Sequence, residues 1–180
     1  ISMFNIVSVL TTTGYGLTDF GLWSHFTTVL FIFLMLFGAC SGSTAGGIKI
    51  FRIQVAGALF QKQARQLMHP SGVFPQKYNG RPVSDHIVRS IVAFVLSYIA
   101  VIIVSSALLG LLGLSPLVAI SGSITAISNV GPGLGPLIGP LGNFSTLPDA
   151  AKWILSFDMM LGRLEILTVA VLFFPSFWKN

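Results

Sequence analysis

Apolar positions in this chain fall into blocks of two lengths, and most of the breaks between them are rich in glycine. Residues 2–11 form a short block that makes a helix of about 15 Å at 1.5 Å per residue, half the thickness of a bilayer core. Such a helix dips into a membrane without crossing it. Residues 116–128 repeat the pattern, and Pro116 suits the first position of a helix because the N–H it lacks has no partner there. Residues 22–37 predict a short or broken span with Trp23 at an interface. It is interrupted at 38–47, a run of small residues with a glycine density that helix interiors disfavour. A more polar, cationic helix is expected from Ile48 to Met68. Pro70, Gly72, Pro75, Gly80 and Pro82 mark 69–85 as a loop.

The long blocks come later. Residues 86–112 give the clearest full span. Residues 134–148, dense in Gly and Pro, predict an outer loop. Residues 149–177 predict a second continuous span, closed by an aromatic and cationic anchor at Phe173, Phe174, Phe177, Trp178 and Lys179. The chain thus divides into 1–68, a linker at 69–85, and 86–180. It opens at Ile1 with no charged region before an apolar core, so no signal peptide is expected and the first residues read as the inside of a structural unit.

Composition makes the blocks a membrane chain. Hydrophobic residues make up 53% and charged residues 8%, against roughly 25% charged in an average soluble domain, and mean hydropathy is +0.86. The formal charge of +5 could suggest a nucleic-acid partner, but seven of the ten Lys and Arg lie between residues 48 and 89 against one acid, Asp85. A basic segment between spans is the mark of a cytoplasmic connection and argues against nucleic acid. The single cysteine, Cys40, excludes a disulfide framework and a thiolate metal cluster.

A repeat carries the candidate chemistry. With a shift of 117 residues, Leu10-Thr11-Thr12-Thr13-Gly14-Tyr15-Gly16-Leu17 lies over Ile127-Ser128-Asn129-Val130-Gly131-Pro132-Gly133-Leu134, with both glycines and the closing leucine in register. Thr12 to Gly16 departs by one residue from the Thr-Val-Gly-Tyr-Gly string whose backbone carbonyls replace the water shell of potassium in channels. A dehydrated cation needs oxygens aimed inward, and glycine reaches the positive φ that aligns successive carbonyls. Thr12, Thr13, Gly14, Tyr15, Asn129, Val130, Gly131 and Pro132 are therefore the candidate ligands of a potassium ion. A half-span helix ending at each loop adds the negative end of its dipole. The plainer alternative is a re-entrant turn that only reverses the chain.

Two ionised residues lie deep in the last predicted span. Arg163 sits 12 residues past Ala151, about 18 Å along a helix, and a mid-membrane Arg must face a cavity or a partner. Arg163 is expected toward a cavity and Glu165 toward protein, since a two-residue spacing keeps them apart on one helix. A structural ion pair is the alternative. His25 reads as an interface residue. Nucleophile triads, His/Cys/carboxylate clusters and a nucleotide-binding loop are missing from the sequence, Gly42-Ser43-Thr44 lacking the required Lys. An enzyme is not expected.

The paired loops, the Gly-rich break and Gly162-Arg163-Leu164-Glu165 together resemble the carboxyl-terminal portion of TrkH-type bacterial potassium uptake proteins, of the Trk/Ktr/HKT superfamily. The resemblance covers the whole chain. It implies an all-α membrane protein with modules of helix, re-entrant pore helix with filter loop, and helix around one cation pore, the third of four repeats in part and the fourth complete. It also implies that 38–47 is an intramembrane gate below the filter, with Gly38, Gly42, Gly46, Gly47 and Arg163 as gate residues. Small residues that pack helices are the alternative use of that stretch. Potassium is then cargo, the partners are the lipid bilayer, a second copy in a homodimer and a cytosolic nucleotide-binding TrkA-like regulatory subunit, and the carboxyl end faces the cytoplasm of a bacterial plasma membrane. From another class, an alternating-access carrier would place a solute at the broken helix.

Overall fold

The computed structural model describes residues 1–38, 42, 43, 45–69, 72, 77, 78, 81–172 and 175–178. The α-helices among the described residues are α1 (Ser2–Leu10), α2 (His25–Leu36), α3 (Ile50–Met68), α4 (Asp85–Leu111), α5 (Pro116–Ser128), α6 (Asp149–Arg163) and α7 (Ile166–Leu172). Short 3₁₀ turns lie at Phe20–Leu22, Phe144–Thr146 and Pro175–Trp178. Two-residue strands pair as β1 (Phe37–Gly38) with β2 (Ile48–Lys49), parallel, and β3 (Lys77–Tyr78) with β4 (Arg81–Pro82), antiparallel.

Both half-span helices form where expected. Helix α5 opens on Pro116 and spans 13 residues, and nearly all of it from Val118 to Ser128 is buried. Apolar and small residues cover every side of it, the pattern of a helix enclosed by protein. It feeds three side-chain clusters. Val118, Ala119 and Ala126 meet Leu109, Ile138, Ala151 and Leu155. Ile124 meets Val9, Phe31 and Met35. Ile127 meets Phe94, Tyr98 and Leu161. At the α5 end, Tyr98 Oη and Ser128 Oγ share a buried hydrogen bond of 2.6 Å.

Helix α4 has 27 residues and is the one described helix long and apolar enough to cross a bilayer alone. Helix α2 is shorter than the apolar block. Asp19 caps the 3₁₀ turn by accepting from Gly21 N at 2.9 Å, and Ser24 caps α2 by accepting from Thr27 N at 3.2 Å, so the helix starts only at His25. These local caps outcompete continuation of the hydrophobic run.

Three expectations need correction. The predicted continuous span at 149–177 is two helices: α6 ends at Arg163, Glu165 takes φ 59°, and α7 starts at Ile166. Its cause is tertiary, as shown below. The linker is not structureless, because β3 and β4 pair within it and Tyr78 sets its ring edge-on to Phe51 of α3 at 4.9 Å. The helix expected from Ile48 starts at Ile50, because Ile48 and Lys49 pair in parallel with Phe37 and Gly38. Ala39, Cys40, Ser41 and Thr44 within the break at 38–47, several of the loop punctuators (Pro70, Pro75, Gly80) and the anchor residues Phe173, Phe174 and Lys179 lie outside the described residues. Phe177 and Trp178 of the anchor are exposed and pack edge to face at 5.5 Å.

Candidate functional site

The 117-residue repeat holds at the level of backbone conformation. Thr12 and Asn129, equivalent by that shift, both take the left-handed conformation, at φ 55° and 54°. Gly14 and Gly131 follow at φ 80° and 113°. Hydrogen bonds repeat as well. Thr12 N donates to Val9 O at 3.1 Å and Asn129 N to Ala126 O at 3.0 Å; Thr13 N donates to Ser8 O at 2.9 Å and Val130 N to Thr125 O at 3.0 Å. Each helix therefore ends by turning its last carbonyls to the first amides of the loop, as helix C-termini commonly do.

Loop anchoring differs between the copies. In the second, Thr125 Oγ1 accepts from Gly131 N at 3.1 Å and donates to Pro132 O at 2.9 Å. Ser121 Oγ accepts from Leu134 N at 3.0 Å and donates to its carbonyl at 3.2 Å. In the first, Ser8 stands where Thr125 stands but Gly14 N goes to its backbone oxygen, at 3.3 Å. Asn5, fully buried, instead accepts from Leu17 N at 3.1 Å and donates to Thr18 Oγ1 at 3.1 Å. Tyr15 is 72% exposed, whereas Val130 is buried.

The two loops touch. A Cβ on Gly14 would collide with the Val130 carbonyl oxygen, and the Gly131 backbone lies against the Gly14 Cα, 3.8 Å from a Cβ built there. All eight candidate ligand residues thus belong to two adjacent, similarly folded loops.

Gly46 of the Gly-rich break lies against them. Gly46 N donates to Thr12 Oγ1 at 3.4 Å, and a Cβ on Gly46 would strike Ser128 O at the end of α5. The Gly46 carbonyl in turn lies against Gly38. Gly42 and Gly47 take φ 86° and 76°, and Gly42 faces open space. Gly46 is therefore wedged between Thr12 of the first loop and the end of α5. Gly162 of α6 presses on the same end of α5, where a Cβ would meet Ile127 O.

A cavity of about 280 Å³ opens there, lined by Ser43, Gly46, Lys49, Arg52, Arg163 and Glu165 among others. Arg163 is the last residue of α6, where its charge faces the negative helix end. Glu165 lines the same cavity. Its Oε1 accepts from Arg52 Nη2 at 2.9 Å and lies 3.6 Å from Lys49 Nζ, and the Arg52 guanidinium also covers the Phe94 ring at 3.7 Å. Reaching those cations is what takes Glu165 out of helical φ and breaks the last span. Both residues line that cavity, and Glu165 in addition reaches Lys49 and Arg52, so the split expected between the two is not seen. What the sequence missed is the pair to Arg52, 113 positions away, and the anchors Asn5, Ser121 and Thr125. Of these only Thr125 carried a signal, since the 117-residue shift puts it in register with Ser8.

Glu165→Gln removes the carboxylate from two cations, one of them only 17% exposed. With Glu165 itself 47% exposed, the expected loss is about 1–2 kcal/mol. Melting the purified full-length protein tests it: Arg52→Gln on top of Glu165→Gln is expected to cost less than the sum of the two changes.

Comparisons with known proteins point one way. A family model described as TrkH, cation transport protein, matches residues 1–180. The chain is 53% identical over 177 residues to the Trk system potassium uptake protein TrkI of Halomonas elongata, covering 98% of this chain and 36% of the relative. It is 34% identical to the Trk system potassium uptake protein TrkH of Escherichia coli K12, at 99% and 36% coverage. The crystal structure of the potassium transporter TrkH from Vibrio parahaemolyticus superposes with a TM-score of 0.89 at 35% identity, over 99% of this chain and 37% of that one. The chain therefore spans about a third of the length of these relatives. With two backbone-equivalent loops at the ends of short apolar helices and a matching fold throughout, the chain belongs to the TrkH family of cation transport proteins.

Proposed function

We propose that this chain supplies two of the loops lining a potassium uptake pathway in a bacterial plasma membrane, with 38–47 and Arg163 as its gate. The observation that carries this is the contact between two loops with the same backbone turn, each at the carbonyl end of a short helix. Loops of this kind offer backbone oxygens to a dehydrated cation, and side chains as different as Tyr15 and Pro132 are tolerated beside them. The ligands are then Thr12, Thr13, Gly14 and Tyr15 with Asn129, Val130, Gly131 and Pro132, and the ion is cargo. No bond-making chemistry enters this reading. The names of the relatives, all Trk system potassium uptake proteins, support the choice of ion.

The division into 1–68, 69–85 and 86–180 corresponds to part of one repeat, a cytoplasmic linker and a complete second repeat, with the carboxyl end inside. The basic segment between residues 48 and 89 supports that orientation. A homodimer and a cytosolic nucleotide-binding regulatory subunit belong to the same proposal. The test is potassium uptake by the full-length protein in cells stripped of their own potassium transport, expected to saturate with potassium and to resist competing sodium. Residues 1–180 reconstituted alone are expected not to conduct, because polar loop backbone would face lipid at several kcal/mol per unsatisfied group. Selective currents from that piece alone would defeat the shared-pore reading.

A further inference from the structure

The two loops open beside equivalent residues that are held differently. Thr11 and Ser128 coincide under the 117-residue shift. Thr11 is exposed, and its Oγ1 donates to Val7 O at 2.8 Å, one turn back in its own helix, and lies 2.8 Å from Thr13 Oγ1. Ser128 is fully buried, and its Oγ shares the 2.6 Å hydrogen bond with Tyr98 Oη, 30 positions earlier on α4. Tyr98 is itself 1% exposed and sits in the cluster of Phe94, Ile127 and Leu161. A phenol hydroxyl in such surroundings is costly without a partner, and away from water the bond it makes is strengthened.

Ser128 stands at a junction. It is the last residue of α5, and its carbonyl oxygen is the atom against which Gly46 packs. The next residue, Asn129, turns into the left-handed conformation, and its Nδ2 donates to Met159 O of α6 at 3.2 Å. The start of the second loop is thus fastened to α4 through Tyr98 and to α6 through Asn129. The anchor on α4 is a firm one, since that helix is long enough to cross the bilayer. In the first loop, the hydrogen bond that carries Thr11 or Thr12 beyond its own helix and loop, among the described residues, is the one from Gly46 N to Thr12 Oγ1 at 3.4 Å. One loop is therefore tied at its start to two helices, and the other to the Gly-rich break.

We propose that Tyr98 is a positioning residue for ion selection: its hydroxyl fixes Ser128, and with it the left-handed turn at Asn129, so that the carbonyls of 129–132 stay aligned on the ion. The inference rests on the reading of these loops as the filter. Two measurements on the full-length protein test it, amide hydrogen exchange and the potassium-to-sodium uptake ratio. The amides of Asn129 and Val130 are bonded to α5, and those of Thr12 and Thr13 to α1, so both loops carry protected reporters. Tyr98→Phe keeps the ring and removes only the oxygen. It is expected to speed exchange at 129–131 about tenfold, the scale of one buried hydrogen bond, to leave 12 and 13 unchanged, and to lower the uptake ratio severalfold. Ser128→Ala removes the other end of the same bond and is expected to give the same loop-selective pattern. The two changes together are expected to do no more than either alone, because no orphaned hydroxyl then remains. Exchange unchanged at 129–131 in folded Tyr98→Phe, exchange rising equally in both loops, or effects of the two changes that simply add would each overturn the proposal. Exchange rising only at 129–131 with an unchanged ratio supports the fastening by Tyr98 and counts instead against the loops as the filter. Should Tyr98→Phe fail to fold, Ser128→Ala carries the test, and the absence of the loop-selective pattern there overturns the proposal equally.

Discussion

Gly14→Ala in the full-length protein is expected to abolish most of the preference for potassium over sodium, and Gly131→Ala to reduce it less. Both glycines sit at positive φ, 80° and 113°, which costs a residue with a Cβ about 1–2 kcal/mol, roughly tenfold in an equilibrium. Surroundings separate them. At Gly131 the nearest atom is 3.8 Å from a new Cβ, so the strain is conformational alone, whereas at Gly14 the new atom meets the Val130 carbonyl oxygen. One substitution in the first loop therefore displaces a carbonyl of the second. Uptake of the two ions, normalised to protein in the membrane, is the measurement. An unchanged ratio in both variants would remove these loops from the pathway.

Arg163→Ala is expected to raise potassium flux while leaving ion preference nearly intact. The guanidinium shares a cavity with Gly46 and Gly47 of the break, and Gly46 is wedged between Thr12 and the α5 terminus. A fixed unit charge about 8 Å from a passing cation, at an effective dielectric near 20, raises its energy by about 2 kcal/mol, an upper bound of roughly 30-fold in rate. Deleting residues 41–45 should also increase flux. If charge and loop form one barrier, the combined change adds little to either alone. Lower flux in a folded Arg163→Ala protein, or no response to the deletion, would return Arg163 and the break to purely structural roles.

The sequence carried more of the fold where the signal was local. A 13-residue apolar block opened by Pro116 can only be a half-span helix, and the structure ends it at Ser128 as the pattern does. The two loops were legible because glycine spacing repeats at a fixed shift, and positive φ at equivalent positions follows from that chemistry. The last span misled because 149–177 holds no glycine cluster to announce a break. Its interruption lies at Glu165, which meets Lys49 of β2 and Arg52 of α3, and periodicity contains no information about a partner 113 residues away.

Amino-acid order alone thus determined the membrane class, the two half-span helices, the paired loops and the cationic segment, all properties of short windows set by hydrophobic length, proline, glycine and charge. Tertiary structure decided which atoms hold those loops. Only packing could bring Gly46 and Gly162 onto the same end of α5 and place a Cβ-free backbone at each contact. Only packing could turn Glu165 out of its helix toward Arg52 and bury Asp158 against Ser105. Hydrogen bonds and ion pairs between distant residues are selected by distance in space, which a one-dimensional pattern does not specify.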